Sequence, residues 1–297
     1  MGEQPLLNLV GISKSFGHNL VLDKVDFTLS PGEVHALLGE NGAGKSTLIK
    51  VLSGAHKPDS GQMFVSGREY RPASPLDGRQ QGMAVIYQEL NLAPHLTVEE
   101  NIMLGQEEAN LGWVQKRRSR EKIIKVLEFL HHPEISPDIP VRKLTVGARQ
   151  VVEIARALMS EARILVMDEP TSSLTQEDTR RLFEIIRKLR EEGVGIIYVS
   201  HFLEEVLEVA DRFTVLRDGK VAGCGRVGET SVEELIQLMI GRRISELYPR
   251  MPHKAGEVFL RCEGIKSATM NQPLSIELHR GEILGIAGLV GSGRTEF

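Results

Sequence analysis

The chain has 297 residues, 41% of them hydrophobic and 26% charged, a profile with room for a sizeable core that excludes disorder and coiled coil. A formal net charge of −4 provides no overall basic field to draw it onto nucleic acid or anionic lipid, so no nucleic-acid partner is expected. No apolar run approaches the roughly 20 residues of a membrane-spanning helix, and the start MGEQPLLNLV lacks the regions of a signal peptide, so the chain reads as cytoplasmic and any membrane-embedded part must come from another chain.

In chain order, Phe16 reads on its own as a packing residue, and VDFTL is an alternating strand. VHALL (34–38) is a short continuous apolar run, the pattern of a buried parallel strand. It delivers Gly39-Glu40-Asn41-Gly42-Ala43-Gly44-Lys45-Ser46, a complete GxxxxGK[ST] loop that opens the helical segment STLIKVLSG from Ser46 and Thr47 onward. Three glycines let backbone wrap phosphate oxygens and the helix start offers unpaired N–H groups. Lys45 can reach the β- and γ-phosphates of a nucleotide, and Ser46 can ligate Mg²⁺.

Gln88 follows the strand AVIY, where a strand-end amide is as good a reading as a functional one. Thr97 with Glu100, and later Ser231 with Glu234, fit capping boxes that start helices. From about 91 to 160 the pattern turns helical, with EKIIKVLEFL clearly amphipathic, so a helical subdomain is inserted into an α/β core. Trp113 and the basic run Lys116, Arg117, Arg118 and Arg120 fall in it, the run reading as a solvated helix face. RILVM (163–167) is a second buried strand, ending in Asp168 and Glu169, where ligands bind in open parallel sheets. Asp168 can hold Mg²⁺ through water and Glu169 can polarise an attacking water. GIIYV (195–199) is a third, followed by His201, which alone reads equally as a hydrogen-bonded core histidine. Cys224 and Cys262 are too few for a disulfide framework or a thiolate zinc site and read as small packing residues in a reducing compartment.

The chain also repeats itself. PGEVHALLGENGAGKSTL from Pro31 parallels RGEILGIAGLVGSGRTEF from Arg280, and VGISKSF near Val10 parallels EGIKSAT near Glu263, each followed by an alternating strand, VDFTL and LSIEL. A second domain therefore begins near Gly256, and with the chain ending at Phe297 the reading is one domain over 5–248, then a linker and the N-terminal stub of a second, incomplete copy over 249–297.

Taken together, these residues resemble the ATP-binding cassette (ABC) family over 5–248. In family order the chain has Phe16, the loop Gly39–Ser46, Gln88, Leu144-Thr145-Val146-Gly147-Ala148-Arg149-Gln150, Asp168-Glu169, Ser172-Ser173-Leu174-Thr175 and His201. The resemblance implies a P-loop NTPase core with an antiparallel β subdomain and a helical subdomain, ATP and Mg²⁺ as ligands, and ATP hydrolysis. Phe16 then stacks on adenine, and Gln88 links Mg²⁺ and the γ-phosphate to a membrane partner. His201 contacts the γ-phosphate, and Thr145, Val146, Gly147 and Ala148 act in trans on nucleotide held by a second cassette.

Three departures bear on that carry-over. Val146 and Ala148 replace a glycine and a glutamine of the usual LSGGQ signature, Thr175 stands where the D-loop has aspartate, and Arg294 in the second copy occupies the place of Lys45. Arginine is a planar fork rather than a compact point charge, so the second loop is expected to hold nucleotide differently or hydrolyse it poorly.

A tandem pair with a degenerate second loop is similar to the ATPases of bacterial monosaccharide importers of the ribose, galactose and xylose type, as are VIYQELNLAPHLTVEENIMLG, HFLEEVLEVADRFTVLRDGK and MIGRRISELYPR with Tyr248-Pro249-Arg250. That implies permease subunits, a separate sugar-binding protein and a place on the inner face of the membrane. Two alternatives stand beside it. A soluble tandem cassette acting on ribosomes or DNA is disfavoured by the short segment PRMPHKAGE and the lack of zinc cysteines. A fragment that binds ATP without turning over alone is the other.

Overall fold

The computed structural model describes residues 4–107, 109–110, 113–114, 116–242, 256–266 and 272–287. The chain divides into two units, Met1–Arg243 and Ile244–Phe297.

Alternating apolar side chains make the first strands antiparallel, one face in and one out. In chain order come β1 (Leu7–Phe16), β2 (Asn19–Leu29), β3 (Val34–Leu38), α1 (Lys45–Leu52), β4 (Ser60–Val65), β5 (Arg68–Glu69), α2 (Pro75–Gln80) and β6 (Met83–Ile86). Then follow α3 (Val98–Met103), β7 (Ala109–Asn110), β8 (Trp113–Val114), α4 (Lys116–Phe129), α5 (Val146–Met159), β9 (Ile164–Asp168), α6 (Gln176–Glu191) and β10 (Gly195–Val199). The first unit closes with α7 (Leu203–Val209), β11 (Arg212–Arg217), β12 (Lys220–Arg226) and α8 (Val232–Ile240), and the second holds β13 (Val258–Ile265) and β14 (Leu274–His279).

Strands β2-β1-β4-β5 form an antiparallel sheet, whereas β12-β11-β3-β10-β9-β6 form a sheet that is parallel from β11 to β6 with β12 antiparallel at its edge. All five residues of β3 and of β10 are buried, as befits central parallel strands covered on both faces. Side chains alternate between two cores: Ile164 and Val166 of β9 join the core shared with β1, β2 and α1, while Leu165 and Met167 face α5 and α6. Strand ends therefore meet at one sheet edge with helices packed on both sides. That is where an open α/β sheet builds its sites.

Between residues 91 and 160 the chain forms α3, α4 and α5, but the two-residue antiparallel pair β7–β8 interrupts the helical pattern. Thr97 and Glu100 form a complete capping box, with Glu100 N–H donating to Thr97 Oγ1 at 3.2 Å and Thr97 N–H to Glu100 Oε2 at 2.8 Å. Ser231 caps α8 by accepting from Glu234 N–H at 3.2 Å, the first half of such a box. Of the basic run, Arg117 and Arg118 are exposed, while Arg120 pairs with Glu99 and Asp138. The side chains of Trp113 and Lys116 lie outside the described residues. Neither cysteine is a buried packing residue: Cys224 is exposed on β12 and Cys262 half-buried on β13, because β12 is an edge strand and the β13–β14 hairpin leaves its faces largely open. Tyr248-Pro249-Arg250 and the second loop with Arg294 lie outside the described residues.

Candidate nucleotide site

The loop that follows β3 is shaped by two glycines. Gly39 has φ +147°, and a Cβ there would stand 2.3 Å from the Leu216 carbonyl oxygen on β11. Gly44 has φ +106°, with Leu22 Cδ2 at 2.8 Å from the corresponding point. Only glycine tolerates both the backbone and the approach. The loop thus lies directly against β11 on one side and β2 on the other, and it hands the chain to α1 at Lys45.

Lys45 is 8% exposed. Its ammonium folds back into the loop, donating to the carbonyls of Gly39 at 2.6 Å and Glu40 at 3.0 Å. Burial lowers the pKa of this amine, and the charges of Glu169 and Asp168 oppose that. Conversely, burial raises the Asp168 carboxyl, repulsion from Glu169 adds to it, and Lys45 works against both. The ammonium and two carboxylates therefore form one coupled charge group at the ends of β3 and β9.

Glu169 adopts φ +47°, a left-handed conformation costly for a residue with a side chain. Its N–H donates to the Val199 carbonyl at 2.9 Å, so β10 holds the strained turn. The carboxylate meets His201, whose Nδ1 lies 3.0 Å from Glu169 Oε1. An ionised carboxylate only accepts, so Nδ1 carries the proton in this contact. Ser200, 1% exposed, and Tyr198 both donate to Glu205 Oε2, at 2.9 and 2.8 Å, and Ser200 Oγ accepts from Phe202 N–H at 3.0 Å. This network fixes the turn that carries His201.

A cleft of about 350 Å³ collects Val21, Asn41, Gly42, Gly44, Lys45, Ser46, Thr47, Gln88, Asp168 and Glu169. A second compartment, about 530 Å³, is lined by Gly39, Glu40, Asn41, Glu169, His201 and Met239. Asn41 and Glu169 belong to both. Ala43 is buried in the core beneath the loop. Two lining residues were not expected at the site from the sequence: Val21 arrives on β2 and Met239 on α8, and only the packing of those elements brings them here.

Other expected residues lie apart from this lining. Phe16 stands at the end of β1, 45% exposed, with the His56 ring edge-on at 5.2 Å and Lys14 Nζ at 5.6 Å from its centroid. Thr145 caps α5 by accepting from Ala148 N–H at 3.2 Å, which exposes Thr145 and Val146 at a helix N-terminus while Gly147 is buried against Asp178. Thr175 caps α6 by accepting from Asp178 N–H at 3.2 Å and donates to Asp178 Oδ2 at 2.8 Å. Threonine and aspartate are both good N-caps, so this departure keeps the local structural role.

A family model described as "ABC transporter" matches residues 22–172, which span the phosphate loop, Gln88, the signature segment and Asp168-Glu169. The chain belongs to the ABC transporter family. Among curated relatives, the "Ribose import ATP-binding protein RbsA 1" of Rubrobacter xylanophilus is 48% identical over 295 residues, covering 99% of this chain and 58% of the relative. The "Arabinose import ATP-binding protein AraG" of Azospirillum brasilense is 47% identical over 294 residues, covering 99% and 56%. The chain thus spans little more than half the length of these ABC relatives. Among solved structures, a nucleotide-free ATP-binding cassette from an ABC transporter aligns with TM-score 0.70 at 28% identity, over 84% of this chain and all of that one. An ABC transporter cassette in its ADP conformation aligns with TM-score 0.71 at 29% identity over the same shares. The fold is that of an ABC ATPase cassette.

Proposed function

We propose that this chain binds Mg²⁺-ATP in the cleft at Lys45 and, as a cassette of a bacterial monosaccharide importer, couples its hydrolysis to transport. The observation that carries the reading is the convergence of a phosphate loop, Lys45, Asp168, Glu169 and His201 at one sheet edge, in a chain 47–48% identical to ribose and arabinose import ATP-binding proteins.

Ser46, Gln88 and Asp168 would hold the Mg²⁺. Hydroxyl, amide and carboxylate oxygens in one cleft suit a hard cation that keeps waters and phosphate oxygens as its other ligands. The same cleft lacks a cage of its own, since no cluster of three or more histidine, cysteine or acidic side chains fit for a metal occurs among the described residues. When bound, Mg²⁺ neutralises charge on the β- and γ-oxygens. Lys45 exchanges the Gly39 and Glu40 carbonyls for phosphate oxygens, and the loop N–H groups cradle the phosphates. Glu169 orients the attacking water, and His201, aligned by its bond to Glu169, meets the γ-phosphate. The exposed N-terminus of α5, at Thr145 and Val146, is the surface offered to nucleotide on a second cassette, whether from the parent chain or from a homodimer.

Among the described residues no helix is long and apolar enough to cross a membrane. In the proposed importer, permease subunits would bring the cassette to the inner face of the membrane, with a sugar-binding protein acting through them. Mg²⁺-ATP hydrolysis measured over a wide protein concentration range, beside Glu169→Gln, tests the reading. Specific activity that rises with concentration and vanishes in the variant supports a competent, self-pairing cassette. Binding without turnover at any concentration supports a cassette that needs a partner, and no nucleotide binding at all refutes the reading.

A further inference from the structure

Gln88 leaves the sheet two residues after β6 ends, and a side chain of α5 holds the backbone three residues further on, at Asn91. One residue of α5 makes that hold: Arg156 donates from a guanidinium nitrogen to the Asn91 carbonyl at 3.4 Å, and Glu153, one turn away, lines the same cavity as Asn91. The same nitrogen lies 3.9 Å from Glu153 Oε2. Leu90 and Leu92 pack on the core beside it, but beneath the segment lies a cavity of about 160 Å³ bounded by β6, Arg79 of α2, Glu153 and Arg156. Asn91, between the two leucines, faces this cavity and is held there by a polar contact.

The pair is costly. Glu153 is 7% exposed, and its Oε1 and the Arg156 Nε have no hydrogen-bond partner among the described residues. Burial holds the Glu153 carboxyl above its usual range, with Arg156, Asn91 and Arg79 opposing. A buried ion pair with unpaired atoms is poor stabilisation and points to a positional role.

We propose that Arg156 and its neighbour Glu153 are positioning residues that together hold the Asn91 backbone and thereby set how Gln88 stands toward Mg²⁺-bound nucleotide. The inference rests on the role proposed above for Gln88.

The test is titration of the full chain with a fluorescent ATP analogue, with and without Mg²⁺. Gln88→Ala and Glu153→Ala are each expected to weaken binding about tenfold in Mg²⁺, the scale of lost outer-shell support, and to leave Mg²⁺-free binding unchanged. The double variant is no weaker than either single, because both changes act on one contact. Glu153→Gln, which keeps the volume and an acceptor beside Arg156, retains most of the affinity. If circular dichroism shows that Glu153→Ala does not fold, Arg156→Lys replaces it, since lysine loses the guanidinium reach but keeps the charge. Losses that add in the double variant, or that are equal without Mg²⁺, overturn the proposal. If Gln88→Ala itself leaves the Mg²⁺ increment intact, the role of Gln88 falls and the positioning role with it. If Gln88→Ala removes the increment and both α5 variants keep it, the positioning role alone falls.

Discussion

Replacing Gly39 by alanine tests whether the phosphate loop is held by its contact with β11. The new Cβ would stand 2.3 Å from the Leu216 carbonyl oxygen and 3.1 Å from Ala43 Cβ, at φ +147°. Overpacking against backbone costs about 1–3 kcal/mol, and a glycine-only backbone region costs about 1–3 kcal/mol more, so the total is about 4 kcal/mol. In a domain of this size that lowers the melting temperature by about 12 °C. The loop escapes the clash only by moving, and the Gly39 carbonyl that receives Lys45 at 2.6 Å moves with it. Nucleotide affinity should then fall roughly tenfold or more, because displacements of about 1 Å at a binding site are that costly. Gly42→Ala is the control. Its φ is +85° but nothing lies within 4 Å of the added carbon, so only the backbone term of about 1–2 kcal/mol applies, or about 4 °C. Differential scanning calorimetry and fluorescent-nucleotide titration on both variants give the answer. Equal melting temperatures for the two would refute the argument that β11 fixes the loop.

Glu169→Gln keeps its volume but loses the charge that meets His201 and that, in the proposed role, orients the attacking water; turnover should fall by about a hundredfold or more while nucleotide binding persists, as steady-state hydrolysis and titration would show. Asp168→Asn should raise the thermal stability of the nucleotide-free protein at pH 7. The folded-state pKa of Asp168 is raised, by burial first and then by Glu169, so folding favours the protonated form. Its ionisation therefore removes stability as pH rises above the ordinary value of 3.8 and through the folded pKa. The advantage of the variant should shrink as pH is lowered toward 4, and its Mg²⁺-dependent nucleotide binding should be lost. Thr175→Ala removes the α6 cap and should cost about 1 kcal/mol, whereas Thr175→Asp keeps a cap and should stay within about 0.5 kcal/mol of the parent, as chemical denaturation would measure.

Local features of this chain were legible in its letters because they are local physics. VHALL and GIIYV are apolar along their whole length because both faces of a central parallel strand are covered, and the loop from Gly39 to Ser46 needs its glycines within eight residues. Thr97 with Glu100 caps α3 through bonds that span three residues. Repetition of the phosphate-loop pattern near Arg280 was equally a property of sequence alone. Where such cues failed, a neighbour distant in sequence decided. Cys224 looked like packing but lies on an edge strand.

The tertiary structure alone decided what stands beside the site. Gly39 is pressed by Leu216, 177 positions away, and Glu169 bonds to His201 across 32 residues because β9 and β10 are neighbours in the sheet. Met239 reaches the His201 compartment because α8 packs against β11, and Arg156 reaches the Asn91 carbonyl because α5 packs against β6. Spacing along a helix, strand or turn is fixed by covalent geometry and so leaves a periodic trace in sequence. Contacts between elements are fixed by how their faces pack, which many side-chain combinations satisfy, and they leave no pattern in a single chain.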